Sequence, residues 1–413
     1  MAKPSHQRSV VLRLMLLSST TLLPLLIGKL AIPLDRYTFR CWETLADHRL
    51  PCLKRGAFYP SQRLAKIEVG GLGVHTGYRI PRHLEWDTDA WGWRNRPPSD
   101  DQPPDIVLVG DSYVAGAALD QDEMLSESLG RQLGRRVYSY APAQVHTLLA
   151  EARFRAQPPL VIVLVLGEMT LYGQSEALQE TGGAPPANTS LQSVAQRLSC
   201  RLLPEPWSLR LDRFQKKPFV NYYAMQAFRN SCCALLASRQ FGVPWPQLAT
   251  MSCPFVVDRT SQMLFGTFAL REAARYQQDP EGCLQYAATL VQGARDEASG
   301  RGIRFLFVPV PDKTRIYRDR VPTEYANTFE QDFVARLVSR LRRAGVDVVD
   351  LLPAYEAARG RGALLYHLDD VHWNAAGVSL ASELVAQRLA PLLDHRAPRR
   401  ADRAERTPPT PGT

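Results

Sequence analysis

Short apolar runs recur along this chain of 413 residues, and helix-length segments separate them. Short runs rich in Val, Ile and Leu are typical of strands that are buried on both faces of a parallel sheet. Strands that alternate with helices form such sheets through right-handed crossover connections. The sequence therefore predicts an α/β fold with a doubly wound parallel sheet of five strands, at Ile106–Val109, Arg136–Tyr140, Leu160–Leu166, Ile303–Val308 and Val346–Leu351.

Changes in composition divide the rest of the chain. Residues 1–34 are first basic and then apolar, which predicts an uncleaved signal anchor, with a cleaved signal peptide as the alternative. The charges before the apolar run predict a bacterial inner-membrane protein whose remaining chain lies in the periplasm. Residues 35–103 are expected to pack as an extension on the main domain, residues 104–395. The strand–helix alternation breaks at about 175–280, which predicts an insertion, and the composition of residues 396–413 predicts a disordered tail.

The formal net charge is +9, but most of it lies near the two ends of the chain. The body therefore lacks the concentrated basic patch of nucleic-acid-binding proteins, and no nucleic-acid partner is predicted. The Gly70–Gly73 run lacks the strand and helix context of a phosphate-binding loop, and no Cys spacing indicates a zinc site. We therefore predict neither a cofactor nor a metal.

The cysteines lie at positions 41, 52, 200, 232, 233, 253 and 283. Disulfides persist in oxidising compartments, so an exported protein can contain them. The sequence suggests Cys41–Cys52 as one pair, and it allows the cysteines from Cys200 to Cys283 to pair with one another within the insertion. The alternative is that the cysteines are small buried core residues.

A polar turn, Gly110-Asp-Ser112, follows directly after the first predicted strand. Open α/β sheets bind their ligands beyond the carboxyl ends of their strands, which is where Ser112 stands. The next helix begins close by, and its free N–H groups can hold a developing oxyanion. Ser112 is therefore a candidate nucleophile, although a simple turn explains the same residues. An unassisted Ser hydroxyl is a weak nucleophile, so a nearby base is required.

Candidate partners lie near the other end of the chain, in the segment Tyr366–Gly377. His372 can accept the Ser112 proton, and a carboxylate two or three residues earlier can hold its tautomer and stabilise the imidazolium. Adjacent residues of an extended turn point in opposite directions, so either Asp370 or Asp369 faces the imidazole. The alternative is a surface turn with a helix-capping side chain. Together, the two segments predict a Ser-His-Asp triad.

The Gly110-Asp-Ser112 turn resembles the Ser block of the SGNH hydrolase superfamily, in which the Ser is the nucleophile. Two other segments are similar to those of SGNH-like acetyltransferases of the alginate O-acetyltransferase (AlgJ/AlgX) type. Asp370-Val-His-Trp373 is like the Asp-x-His-Trp motif of that group, and Val308–Tyr317 resembles its Pro-x-Lys…Tyr segment. Upstream, Trp86–Asn95 resembles a segment often found before the Ser block in exported SGNH-like proteins.

This resemblance implies an SGNH/flavodoxin-like sheet and acyl transfer through an acetylated Ser112. His372 would act first as base and then as acid. Asp370 would orient His372, because the Trp373 context favours Asp370, with Asp369 as the competing acid.

The resemblance also implies an oxyanion hole and two partners. The Ser112 N–H, with one from the loop that contains Ala143, would hold the oxyanion, and Asp111 and Glu168 are its expected neighbours. A hydroxyl of an exported polysaccharide would accept the acetyl group, and a membrane-bound acyltransferase would supply the donor.

The chain also departs from these families. SGNH hydrolases usually carry a Gly and an Asn where this chain reads Ala141–Gln144 and Gly167–Thr170, and the alginate enzymes place Asp-x-His before the Ser rather than after it. The resemblance covers roughly residues 85–175 and 300–390. Two alternatives therefore stay open: an esterase or deacetylase of cell-surface glycans, and a catalytically inactive carbohydrate-binding component of an export complex.

Overall fold

The computed structural model describes residues 19–394 except 21, 24, 35–37, 39, 47, 49, 54, 74–76, 98–102, 173–190, 218–254, 268, 270–275 and 322–331. Its strands are β1 Arg63–Glu68, β2 Arg82–Asp87, β3 Ile106–Gly110, β4 Val137–Tyr140, β5 Val161–Gly167, β6 Phe255–Asp258, β7 Met263–Gly266 and β8 Arg304–Val310. Its main helices are α1 Cys41–Leu45, α2 Leu125–Leu133, α3 Val145–Ala150, α4 Ala152–Ala156, α5 Glu168–Leu171, α6 Leu191–Leu202, α7 Glu205–Lys216, α8 Pro280–Ser299, α9 Lys313–Ile316, α10 Phe333–Arg343, α11 Leu352–Gly360 and α12 Ala375–Asp394.

Four parallel strands form the central sheet, in the order β4, β3, β5, β8. Ile106 of β3 lies opposite Val137 of β4 and Val161 of β5, and Val161 lies opposite Arg304 of β8. All residues of β3 and β5 are buried, as expected for central strands that helices cover on both faces. The predicted α/β fold with a parallel sheet is confirmed.

The fifth predicted strand, Val346–Leu351, is reduced to an isolated parallel bridge between Val348 and Phe307 of β8. Beside this bridge the Phe307 N–H donates to the Asp347 carbonyl at 2.9 Å. The segment therefore lies where a fifth strand belongs. Helix α10 ends at Arg343 and α11 begins at Leu352, so the segment is the connection between these two helices.

The sheet separates two hydrophobic cores, because alternate residues of a strand point to opposite faces. Ile106 and Leu108 pack in one core, which includes residues of α2 and α12. Val107 and Val109 pack in the other, which includes residues of α8 and α10. The strand that carries the Gly110-Asp-Ser112 turn is thus held from both sides.

The N-terminal extension joins the first of these cores. Its strand β2, which pairs antiparallel with β1, contributes the buried side chains of Leu84 and Trp86. The insertion contributes α6, α7 and the antiparallel hairpin of β6 and β7, and the rest of it lies outside the described residues. Asp212 of α7 is fully buried and accepts hydrogen bonds from the Leu50 N–H at 2.5 Å and from the Tyr59 hydroxyl. The insertion helices therefore pack on the extension.

The prediction of a signal anchor at residues 1–34, and with it the inner-membrane location, is wrong. Within the described part of the chain, no helix is both apolar enough and long enough to cross a membrane. The helical residues of this stretch lie between 19 and 31, and residues 1–18 are outside the description. Ser, Thr and Pro interrupt the apolar run, and the ammonium of Lys29 lies 4.6 Å from the centre of the Phe214 ring of α7. This end of the helix therefore contacts the protein itself.

One disulfide, Cys52–Cys200, joins the extension to α6. The predicted pair Cys41–Cys52 is therefore wrong, and Cys200 does not pair within the insertion. Cys41 and Cys283 are both free and buried. These two residues fit the alternative of small core side chains. The pairing depends on how the insertion folds back over the extension, which residue spacing does not reveal. The remaining cysteines lie outside the described residues.

Reduction of Cys52–Cys200 is expected to lower the free energy of unfolding. The bond closes a chain separation of 148 residues, and disulfides that constrain the unfolded chain typically contribute about 2–4 kcal/mol. Urea denaturation with and without a reductant measures the difference. A Cys52→Ser/Cys200→Ser variant should unfold at the lower stability in both buffers. Equal stability of the oxidised and reduced wild type would contradict the prediction.

Candidate active site

Ser112 lies in the turn after β3, at the carboxyl edge of the sheet, and its side chain is exposed. Its Oγ lies 2.7 Å from Nε2 of His372, which is within hydrogen-bond distance. No hydrogen bond from the Ser112 N–H is found among the described residues, whereas the following N–H, of Tyr113, donates to an Asp111 carboxylate oxygen at 3.0 Å. The site thus presents a nucleophile, a base and one open N–H donor together.

Asp370 completes a chain of hydrogen bonds. Its Oδ1 lies 2.6 Å from Nδ1 of His372 and also accepts the His372 backbone N–H at 3.1 Å. Its Oδ2 accepts the Gly71 N–H at 2.5 Å. Burial opposes ionisation of the Asp370 carboxyl, but His372 and these backbone N–H groups hold its pKa well below its ordinary value. The carboxylate therefore stays ionised next to the imidazole.

Asp369 faces the other way, as adjacent residues of an extended turn do. It is fully buried and pairs with Arg82, whose Nη1 lies 2.7 Å from Oδ1. Its Oδ2 accepts the N–H groups of Gly70 at 2.9 Å and Ile80 at 2.8 Å. The structure therefore places Asp370, and not Asp369, against His372. Asp369 joins the main domain to the N-terminal extension.

The Asp111 carboxylate is held by hydrogen bonds from the turn of the nucleophile and from the end of β5. Its Oδ2 accepts the Gly167 N–H at 2.9 Å and the Thr170 hydroxyl at 2.8 Å. Burial raises the pKa of Asp111, although these hydrogen bonds work in the opposite direction. Asp111 therefore ties the turn that carries Ser112 to the end of β5.

The other two expected neighbours of an oxyanion are engaged elsewhere. The Ala143 N–H donates to the Gly110 carbonyl at 2.9 Å, so it is not open to an oxyanion. Glu168 is buried and accepts hydrogen bonds from the Nε of Arg315 at 2.8 and 2.9 Å, from the Asp312 N–H at 3.0 Å and from the Tyr172 hydroxyl. Burial opposes ionisation of Glu168, but Arg315 holds its pKa below its ordinary value. Ala143 therefore connects its loop to the end of β3, and Glu168 connects the end of β5 to the segment of Asp312 and Arg315.

The segment Trp86–Asn95 holds the chain around the nucleophile. The guanidinium of Arg94 is fully buried and lies 3.7 Å from the centre of the Trp86 ring. It donates hydrogen bonds to the carbonyls of four residues, three of which follow the nucleophile: Ala115, Gly116, Leu119 and Glu85. The signal in the sequence is an Arg, which keeps its charge, directly after Trp91-Gly-Trp93.

Asn95 and the tryptophans connect the same segment to β4. The Asn95 amide accepts the Ser139 N–H at 2.8 Å and donates to the Ser139 carbonyl at 3.0 Å. Trp93 is buried with its ring 4.0 Å from that of Tyr140, whereas Trp91 is 49% exposed. Trp93 therefore belongs to the core, whereas Trp91 lies at the surface with the Arg153 guanidinium 4.6 Å from the centre of its ring.

His367 lies beside the triad segment. Its Nε2 is buried and has no hydrogen-bond partner among the described residues. Burial, together with the charge of Arg82, lowers the pKa of His367 from 6.5 to about 4. Between pH 6.5 and about pH 4, the unfolded chain binds more protons at His367 than the folded protein does. Acidification therefore favours unfolding.

The free energy of unfolding is expected to decrease by about 3 kcal/mol through His367 alone as the pH falls from 6.5 to 4. His367→Gln should remove this contribution, because the amide does not titrate. Urea denaturation of wild type and His367→Gln across this pH range measures the contribution of His367. The carboxylates also titrate there, but they are the same in both proteins and cancel in the comparison. Parallel pH profiles for wild type and variant would contradict the prediction.

No group of three or more His, Cys, Asp or Glu side chains forms a metal-binding cluster in the part of the chain that the structure describes. The polar groups that converge on the edge of the sheet are the hydroxyl, imidazole and carboxylate of Ser112, His372 and Asp370. This arrangement suits nucleophilic acyl chemistry.

Residues 268–412 match the family described as SGNH hydrolase-like domain, acetyltransferase AlgX. This match includes Asp370 and His372, and Ser112 lies before it. Over these residues the chain is similar to SGNH hydrolase-like acetyltransferases. Its resemblance to SGNH-like O-acetyltransferases of the AlgJ/AlgX type is thereby confirmed.

The curated relatives include proteins named probable alginate O-acetylase AlgJ. The one from Pseudomonas aeruginosa is 32% identical over 100 residues, which are 24% of this chain and 24% of that protein. The one from Pseudomonas putida is 26% identical over 137 residues, which are 33% of this chain and 34% of that protein. The similarity thus spans about a quarter to a third of the length of these relatives.

Solved structures with a similar chain trace include a lipase/acylhydrolase from Enterococcus faecalis. It is 12% identical, with a TM-score of 0.31, and the superposition covers 69% of this chain and 95% of that one. An acetyl xylan esterase, AlAXEase, is also 12% identical, with a TM-score of 0.29 and a coverage of 69% and 99%.

Proposed function

We propose that this chain is an O-acyltransferase that moves acetyl groups onto hydroxyls of a polysaccharide through an acyl-Ser112 intermediate. The observation that carries the proposal is the continuous hydrogen-bond chain from Ser112 through His372 to Asp370, with distances of 2.7 and 2.6 Å. The similarity to alginate O-acetylases supports acetyl as the group and a glycan as the acceptor.

The first half-reaction acylates the enzyme. Ser112 Oγ attacks the carbonyl carbon of an acetyl donor while its proton passes to His372 Nε2. Asp370 accepts the Nδ1–H and stabilises the imidazolium that forms. The Ser112 N–H donates to the oxyanion. The leaving group departs with the proton from His372, and an acetyl ester remains on Ser112. The resemblance implies that a membrane-bound acyltransferase presents the donor, and this partner remains a prediction.

The second half-reaction transfers the acetyl group. A hydroxyl of the acceptor attacks the ester carbonyl and gives its proton to His372. The bond to Ser112 Oγ then breaks, and His372 returns the proton to that oxygen. Because every group returns to its starting state, no cofactor is consumed.

Hydrolysis of acyl groups is the second candidate, since the same triad performs it when water replaces the sugar hydroxyl. The exposure of the Ser112 side chain favours it, because water reaches the nucleophile in the described structure. An inactive binding protein, by contrast, does not require the aligned Ser112, His372 and Asp370.

A partition experiment tests the proposal. An activated acetyl ester is supplied as donor, and acetate release is compared with acetyl incorporation into soluble polysaccharides. We expect incorporation to exceed hydrolysis when a suitable acceptor is present. Acetate release that no added polysaccharide reduces would favour the esterase. The absence of both acetate release and acetyl incorporation would contradict catalysis.

A further inference from the structure

A short glycine-rich turn of the N-terminal extension wraps around the segment that carries the two aspartates. The Gly71 N–H donates to Oδ2 of Asp370 at 2.5 Å, and the Gly70 N–H donates to Oδ2 of Asp369 at 2.9 Å. The N–H of Gly73 reaches the Asp369 carbonyl at 3.1 Å. One turn therefore satisfies both carboxylates and the backbone between them.

Close approach explains why this turn contains glycine. A Cβ at Gly70 would lie 2.2 Å from the Asp369 carbonyl oxygen, and one at Gly73 would lie 2.9 Å from the Asp369 Cβ. Both distances are too short for a side chain unless the two backbones separate. A Cβ at Gly77, in the same extension, would meet nothing within 4 Å.

Lys313 holds the same segment through its carbonyl groups. The ammonium donates to the carbonyls of His367 at 2.6 Å, Leu368 at 3.0 Å and Asp370 at 2.9 Å. A fourth acceptor is the Leu264 carbonyl of β7, at 2.7 Å. The Lys313 side chain is 1% exposed, so these carbonyls replace water around it.

The two contacts fix different parts of the triad acid. Lys313 anchors the backbone at Asp370, and the Gly71 N–H holds the carboxylate oxygen that does not face His372. The remaining oxygen, Oδ1, then points at Nδ1 of the imidazole. A carboxylate free to rotate would not keep this orientation, and small errors of placement in a catalytic group reduce rates strongly.

We infer that the Gly70–Gly73 turn and Lys313 are positioning groups that set Asp370, and through it His372, for the acyl transfer proposed above. The N-terminal extension is then part of the catalytic unit and not only a cover for its core. This inference rests on the proposed function, but the orientation of His372 can be measured without turnover.

The test compares Gly70→Ala and Lys313→Gln with two controls, Gly77→Ala and Lys66→Met. Lys66 also donates to a backbone carbonyl, that of Thr38, so its substitution removes a similar contact away from the triad. We expect kcat for an activated acetyl ester to fall by roughly 10–100-fold in the two test variants, with KM nearly unchanged. The controls should keep the wild-type kcat.

Two spectroscopic readouts separate positioning from general structural damage. In folded test variants, the His372 Nδ1 proton should lose the downfield resonance that its bond to Asp370 gives in the wild type. In the wild type, the Gly71 amide should exchange with deuterium as slowly as the amides of β3. This second measurement stays decisive if neither variant folds.

The outcomes distinguish the two hypotheses. A folded Gly70→Ala or Lys313→Gln variant with the wild-type kcat, or rapid exchange at the Gly71 amide, would overturn the positioning role and leave the acyl-Ser112 proposal intact. A wild type without acyl transfer would refute the proposed function, while the His372 resonance and its loss in the variants would still support positioning.

Discussion

Ser112→Ala is expected to abolish acyl transfer, with a loss of kcat on the order of 10⁴–10⁶-fold. The substitution removes the Oγ that lies 2.7 Å from Nε2 of His372. Initial rates with an activated acetyl ester, with and without a glycan acceptor, measure the loss.

The Ser112→Ala variant should keep the wild-type fold, and its stability serves as the control for this prediction. Ser112 is exposed in a turn, so the free energy of unfolding should change by no more than about 0.5 kcal/mol. His372→Ala and the double variant should be about as inactive as Ser112→Ala, because members of a triad act as a unit. Additive losses in the double variant would show that the two residues do not share one step.

Asp370→Asn is expected to reduce kcat by on the order of 10⁴-fold while the protein stays folded. An amide at this position donates where the carboxylate accepts, so it favours the wrong tautomer of His372 and does not stabilise the imidazolium. In the wild type the Gly71 N–H donates to Oδ2 of Asp370, and in the variant this N–H loses its ionised partner. Steady-state kinetics and thermal unfolding of the same preparation measure both quantities.

Asp369→Asn provides the matched control, since it makes the same chemical change one residue away. It breaks a buried ion pair with Arg82, so we expect a loss of about 3–5 kcal/mol in stability and a much smaller loss of kcat per folded molecule. The reverse result, an active Asp370→Asn and an inactive Asp369→Asn, would identify Asp369 as the triad acid.

The central sheet could be predicted because its signal is local. Strands such as β3 and β5 are buried on both faces, so each leaves a continuous apolar run in the sequence. The hairpin of β6 and β7 could not be predicted in this way, since each of its strands has four residues and the surrounding sequence has no strand period.

The candidate triad could be located for a similar reason, because each part lies in a short motif at the end of an element. The Trp373 context favoured Asp370 over Asp369 in the sequence, and the structure places Asp370 against His372 and binds the two carboxylates to different N–H groups of the Gly70–Gly73 turn. The disulfide and the Glu168–Arg315 pair depend on contacts between distant segments. Neither residue of such a pair carries a local signal of its partner.

Mass spectrometry of peptides tests the central claim most directly. The wild type is exposed briefly to an activated acetyl ester without an acceptor, quenched in acid and digested. The account predicts one added acetyl group on the peptide that contains Ser112, which disappears when an acceptor glycan is added before the quench. Accumulation should be absent in Ser112→Ala. An unmodified Ser112 peptide from an enzyme that transfers acetyl groups under the same conditions would contradict the covalent mechanism.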